Sequence, residues 1–368
     1  MSSSRFKALV VLGGGVFAGI VAFSLWGSDA APASTVPLSA IETTTSVVAP
    51  TTTTTTLPPT TTTTTLPPTT TTTTEPKGTL VIHGTGDVAV DPSYIPALRS
   101  KGWDHAWTGL DGLFLEDDLT VINLECVPSD IGDPLAKSFV FRCPTEALPS
   151  VLAGGVDVAN MGNNHSGDYG KEALIDGRAQ LTAAGIAPVG AGKDVYEAGA
   201  PALFEINGWT VAVVGFGGVA PSPSWYATED NPGMRSGDDA AEMVEAVLAA
   251  DELADLVIVT IHWGRELETN PSPDDIPRAL AMIEAGADII FGHHQHRLNP
   301  LEMINGAAVF WGLGNFVWPH NSQESATTAV ARAVVNPDGS IAACMIPAYI
   351  ESHGHPVLRG EPECGPSS

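Results

Sequence analysis

The sequence predicts an α/β sandwich in which helices flank mixed, mostly parallel sheets, with a ligand site along one edge. Two observations lead there. Strand-like apolar runs alternate with helical stretches, the pattern of strands joined by helical crossovers. Five of the runs also end, at once or in the following loop, in residue types that bind metal. Leu80-Val81-Ile82 leads to Gly86-Asp87, Val121-Ile122 to Asn123-Leu124-Glu125, and Val156 to Ala159 leads to Asn163-Asn164-His165. Leu256 to Ile261 leads to His262-Trp263-Gly264, and Ile289-Ile290-Phe291 to Gly292-His293-His294-Gln295-His296. Open α/β sheets bind ligands outside the carboxyl ends of their strands. Carboxylates, an amide oxygen and imidazoles gathered there form the ligand set of a borderline-to-hard divalent cation.

The remaining elements follow in chain order. Residues 171–184 read as a helix stopped at Gly185, and 239–254 as an Ala-rich helix with apolar positions at helical spacing. Val211 to Phe216 is a continuous apolar run, the mark of a buried central strand. Pro277 to Ala285 form a helix stopped at Gly286, and Ala307 to Trp311 a further strand. Ala329 to Val335 and Ile341 to Met345 flank Asn336-Pro337-Asp338-Gly339, a hairpin signal.

The first 76 residues stand apart. Arg5 and Lys7 precede an apolar stretch from Ala8 to Trp26, the layout of an export signal. Its length suits an uncleaved single-span anchor, while Ala30-Ala31-Pro32-Ala33 offers a cleavage region; both readings place the rest of the chain outside the cytoplasm. No Cys follows the stretch, which argues against a lipoprotein anchor. Residues 1–30 are thus read as signal or anchor, 31–76 as a Thr/Pro-rich disordered linker, and 77–368 as the folded domain. The linker is nearly uncharged, so the formal charge of −26 falls almost wholly on the folded domain. That acidity argues against binding nucleic acid, and an anionic substrate would need local positive charge such as a bound metal.

The four cysteines all lie in this domain. An even number in an exported chain suggests disulfides, and Cys126–Cys143 and Cys344–Cys364 are favoured because each closes a short loop. No cysteine pair has zinc-finger spacing. The chain also lacks the Gly-x-Ser-x-Gly elbow of serine hydrolases and the His-Glu-x-x-His of zinc peptidases.

Six motifs in order carry a resemblance: Gly86-Asp87, Asn123-Leu124-Glu125, Asn163-Asn164-His165-x-x-Asp168-Tyr169-Gly170, His262-Trp263-Gly264, Gly292-His293-His294-x-His296, and Gly314-Asn315-Phe316. Together they resemble the bacterial capsule-synthesis CapA family, associated with poly-γ-glutamate capsule formation and similar in fold to calcineurin-like metallophosphoesterases. The resemblance spans Gly78 to Ala348. It implies one divalent cation (Mn, Zn or Mg) on Glu125, Asn164, His262 and His294, and a second on Asp87, Glu125 and His296. It also implies that His165 protonates a leaving group. Two departures stand out. Phosphoesterases carry a His two residues after the first Asp, where this chain has Ala89, and the bridging carboxylate is Glu rather than Asp. The Asp87 side is therefore expected to bind metal more weakly.

Competing readings accompany these residues. Asp168 reads as orienting His165 or as capping a helix that starts near Tyr169. His293 reads as structural, since His294 and His296 would share one side of an extended segment. Trp263 and Trp318 read as cleft walls or core residues. Lys137 and Arg142 are candidates for holding an anionic substrate, together with Asn123 and Asn315 from the motifs. Two functions follow. One is a metal-dependent hydrolase or transferase acting on an anionic cell-envelope polymer or a phosphorylated or acylated small molecule. The other is a non-catalytic polymer-binding or export subunit that keeps a metal-binding cleft. Either would sit at the membrane through the N-terminal segment or be secreted.

Overall fold

The computed structural model describes residues 8–10 and 76–365. The linker and most of the N-terminal apolar stretch lie outside the described residues. Among the described residues no helix is long and apolar enough to cross a membrane.

Two mixed sheets face each other. The nine-stranded sheet contains four adjacent parallel strands: Leu80–Val88, Leu119–Leu124, Val158–Asn160 and Ala187–Val189. The antiparallel hairpin of Thr327–Val335 and Ile341–Ser352 extends it beyond Leu80–Val88, with His355–Leu358 outermost. The seven-stranded sheet also has four adjacent parallel strands, Trp209–Gly217, Leu256–His262, Ile289–His293 and Ala307–Phe310. Antiparallel strands Ala202–Ile206 and Leu301–Ile304 flank these four, and Ala8–Val10 pairs with Ala202–Ile206. The five metal-type runs therefore divide between the sheets, three on one and two on the other.

Alternation along the strands explains three apolar layers. Leu80, Ile82, Val121 and Val158 meet Val213, Ile258 and Phe291 between the sheets. The opposite faces are covered by helices. Met243 and Val247 of Ala240–Asp251 and Met282 of Asp275–Glu284 pack on Val214, Val259 and Ile290. Leu174 and Leu181 of Lys171–Ala184 pack with Ile122 and Ala159 on the other side. The helix over residues 171–184 and the late hairpin agree with the sequence reading, and the helix expected at 239–254 is shorter. Both expected disulfides are formed, and no described cysteine is free.

Candidate metal centre

The centre lies where the carboxyl ends of strands from both sheets meet, and a bulge aims its first ligand. Gly84 pairs with Val121 but Asp87 pairs with Asn123, so three steps on one strand oppose two on its neighbour. Strict alternation would place Asp87 with His83, on the face away from Leu80 and Ile82. The extra residue returns Asp87 to the face shared with Asn123, toward the second sheet. Gly86 fits this bend because a Cβ there would lie 2.1 Å from the Gly314 carbonyl oxygen.

Asn123, buried to 0% exposure, is held from several sides. Its Nδ2 donates to Asp87 Oδ1 at 2.9 Å and lies 3.1 Å from His262 Nδ1. Its Oδ1 accepts from Asn160 Nδ2 at 3.2 Å and Asn163 Nδ2 at 3.4 Å. Asn123 thus fixes the neighbouring side chains, and its amide is surrounded by protein. Asn163 also donates to the Leu124 carbonyl at 2.9 Å, which ties the Asn163–Asp168 turn to the end of the strand that leads into Glu125.

Two ligand groups share Glu125. Glu125, His262 and His294 form one, and Asp87, Glu125 and His296 the other; within each, the ligand atoms lie within 4.8 Å of one another. His262 Nε2 is 2.9 Å from Asn164 Oδ1 and 3.6 Å from Glu125 Oε1. His296 Nδ1 is 3.0 Å from Asp87 Oδ2. The structure thus brings the six expected ligand residues together, five in these two groups and Asn164 against His262.

The residues fit a divalent cation on physical grounds. Both Glu125 oxygens and His294 Nδ1 are buried without a hydrogen-bond partner, and Asp87 Oδ2 and His296 Nδ1, though 3.0 Å apart, are not aligned as a hydrogen bond. Buried polar atoms normally have partners, and unpaired ones are costly. A cation among two carboxylates, an amide oxygen and three imidazoles would satisfy them together, and this donor set is borderline to hard.

Burial and neighbouring charges shift these groups in different directions. Burial, with the Asp87 carboxylate beside it, pushes the Glu125 carboxyl well above the usual range. Burial also acts to raise Asp87, but the His296 and His293 imidazoles and the Asn123 amide outweigh it, and Asp87 falls below its ordinary value. Burial, then neighbouring His294, hold His262 well below the usual imidazole range. Burial and then His296 bring His294 down to about 4. Both shifts favour the neutral form of His262 and His294, the form in which an imidazole binds metal.

Strain marks the His-x-His pair. His294 has φ 92° and His296 φ 53°, in the left-handed region that non-glycine residues seldom occupy. The expected extended segment is absent, since the strand ends at His293. Turns at 294 and 296 bring the two rings toward the centre. His293 stays in the core, with Nε2 3.0 Å from Thr260 Oγ1.

Asp168 does not cap a helix. The following helix starts after Gly170 with no side-chain cap, and Asp168 Oδ2 lies 2.7 Å from His165 Nδ1. His165 Nε2 then faces Glu125 Oε1 at 3.9 Å. Burial lowers His165, opposed by Asp168. The Phe141 ring lies 4.3 Å from the His165 ring, and Trp318 stacks on His296 at 4.9 Å. Trp263, by contrast, is fully buried against Trp311 in the core.

The other expected substrate contacts differ in placement. Lys137 Nζ reaches the Asn164 carbonyl at 2.7 Å and Asp168 Oδ1 at 2.5 Å. The Arg142 guanidinium donates to the carbonyls of Asp130, Ile131 and Gly132 and lies over the Tyr169 ring. Asn315 is buried, with Nδ2 on the Ser325 carbonyl. Sequence reasoning missed Arg297. Beside His296, it donates to that residue's carbonyl at 2.7 Å, and its charge is near enough to Glu324 to help lower that carboxyl. Its position directly after the His-x-His pair was the available signal.

A family model described as bacterial capsule synthesis protein PGA_cap matches residues 81–320. The chain belongs to this family. Its relatives include the PGA biosynthesis protein CapA of Bacillus subtilis, 33% identical over 69% of this chain and 67% of that protein. The capsule biosynthesis protein CapA of Bacillus anthracis is 32% identical over 58% of this chain and 53% of its own length. A probable polyglutamine synthesis accessory protein of Mycobacterium tuberculosis is 32% identical over 54% of this chain and 55% of its own. The chain thus spans two thirds of the first relative and about half of the other two. The PGA_cap match runs from Val81 to His320 and includes every candidate ligand.

Proposed function

We propose that this PGA_cap protein takes part in the synthesis of a capsule or cell-envelope polymer of poly-γ-glutamate type, as an exported, metal-dependent hydrolase or transferase acting on an anionic envelope compound. The observation that carries this reading is the pair of three-residue ligand groups sharing a Glu125 whose oxygens are both buried and unpartnered. One or two divalent cations held by Glu125, Asn164, His262 and His294, and by Asp87 and His296, would supply Lewis acidity and positive charge for an anionic substrate.

The chain's own residues do the rest. Asp168 orients His165 so that Nε2 can pass a proton to a leaving group. Phe141 and Trp318 line the histidines and limit water access. Arg297 adds a cation beside His296 for an anionic group of the substrate. The N-terminal apolar stretch would hold the domain at the outer membrane–water boundary through the Thr/Pro linker, or be removed on secretion.

One observation favours a second reading, a polymer-binding or export subunit without turnover. Ala89 stands where phosphoesterases supply an imidazole, which leaves the Asp87 cation with fewer ligands. Elemental analysis of the purified protein, followed by assays on phosphate esters, amides and poly-γ-glutamate, decides between the two. Turnover that is lost in His294→Ala supports the enzyme. Polymer binding without turnover supports the subunit, a wild type free of metal overturns the enzyme and favours the subunit, and a wild type that binds neither metal nor polymer overturns both.

A further inference from the structure

One loop outside the ligand set makes repeated contacts with the turn that carries Asn164, His165 and Asp168. It runs between Cys126, next to Glu125, and Cys143, and the disulfide closes it. Lys137 Nζ donates to the Asn164 carbonyl at 2.7 Å and to Asp168 Oδ1 at 2.5 Å. The Phe141 amide donates to Asp168 Oδ2, and the Leu135 amide to the Asp168 carbonyl, both at 2.8 Å. The Phe141 ring packs on His165, and the Arg142 guanidinium on Tyr169.

The turn needs this support. Residues 163–169 belong to no helix or strand. Their inner end is tied down by Asn163, which bonds the Leu124 carbonyl and, through Oδ1, the His165 amide. Their outer end is tied down from the disulfide loop. Among the described residues, Lys137 is the only side chain that bonds both the backbone of the ligand residue, Asn164, and the carboxylate that orients His165. A mobile lysine would lose the Asn164 bond, so the closed loop, anchored at both ends by Cys126 and Cys143, reduces the freedom that Lys137 must give up.

We propose that Lys137 is a positioning residue: held by the loop that the Cys126–Cys143 disulfide closes, it fixes the Asn164–Asp168 turn and so sets the metal centre. This differs from a lysine that holds the substrate's anion, and it rests on the metal-centre reading above for its functional consequence only.

The test uses Mn²⁺ alone, with no anion present, on full-length wild type, Lys137→Met, Lys137→Arg and the Cys126→Ala/Cys143→Ala pair. Calorimetry gives Mn²⁺ affinity, and amide hydrogen exchange gives protection along residues 163–169. Lys137→Met is expected to weaken Mn²⁺ binding on the order of tenfold, as loss of a partner behind a metal ligand does, and to lower protection in that turn while other segments keep theirs. Lys137→Arg should recover part of both, and the cysteine pair should follow Lys137→Met. If the wild type binds no Mn²⁺, the metal-centre reading fails, and the exchange pattern still decides the clamp. Unchanged protection in Lys137→Met overturns the proposal. So does unchanged Mn²⁺ affinity in a metal-binding wild type, including the case where only inorganic phosphate binding weakens.

Discussion

Asn164 Oδ1 and His262 Nε2, 98 residues apart in sequence, face each other at 2.9 Å. Asn164 follows a strand of the nine-stranded sheet, and His262 ends a strand of the seven-stranded one. The centre is therefore a property of how the two sheets meet. Replacing either residue by Ala should reduce bound Mn²⁺ or Zn²⁺, and His294→Ala should remove most of it. His293→Ala should keep the metal content while lowering stability by roughly 2–5 kcal/mol, because it opens a cavity and orphans Thr260. Elemental analysis with thermal melts on the four variants separates these outcomes. Metal retained in His294→Ala but lost in His293→Ala would reverse the assignment within the pair.

The two disulfides should each stabilise the folded state by about 2–4 kcal/mol, since each restricts the unfolded chain. Non-reducing peptide mapping is expected to recover Cys126 with Cys143 and Cys344 with Cys364. A Cys126–Cys344 peptide, or four free thiols, would contradict the structure.

Gly86→Ala should disrupt both fold and site, because the new Cβ would meet the Gly314 carbonyl, which belongs to a backbone segment that cannot step aside cheaply. A loss of at least about 1–3 kcal/mol is expected for such overpacking, together with weaker metal binding as Asp87 shifts. Normal stability and normal metal affinity in this variant would show that the bulge is not needed to aim Asp87.

Arg297→Met should weaken binding of inorganic phosphate to the metal-loaded protein while leaving Mn²⁺ affinity within about threefold, as expected if Arg297 meets the anion rather than the cation. Equal phosphate affinity in the variant and the wild type would remove Arg297 from the substrate side.

Asp288 gives a pH signature away from the centre. Burial raises its carboxyl from 3.8 to about 6, opposed by the Val257 amide that donates to it. Between those values the unfolded chain releases this proton and the folded chain keeps it, so stability falls as pH rises from about 4 to about 6 and is level above. The contribution is at most about 3 kcal/mol. Urea melts at pH 4, 5 and 6 on wild type and Asp288→Asn should show this decline reduced in the variant, and identical slopes would count against it.

Much of this was legible in the sequence. Apolar periodicity gives the parallel strands and the helix over 171–184, because burial on one or both faces writes itself into residue order. The chemical types at the strand ends point to a site for a divalent cation, and the family resemblance implies which residues would hold it. Cysteine spacing gives the two pairs, since a short loop is the cheapest to close.

What only the tertiary structure decided concerns direction and neighbours. Alternation alone sends Asp87 to the face of His83; the bulge that reverses it depends on the close approach of Gly314, which no local pattern records. The roles of Asp168, Lys137 and Arg142 were open for the same reason. A carboxylate after a turn can cap a helix or hold a histidine, and a cation can meet substrate, a carboxylate or a carbonyl. The choice belongs to whichever partner folding brings within hydrogen-bond reach: here His165 for Asp168, the Asn164–Asp168 turn for Lys137, and three loop carbonyls for Arg142.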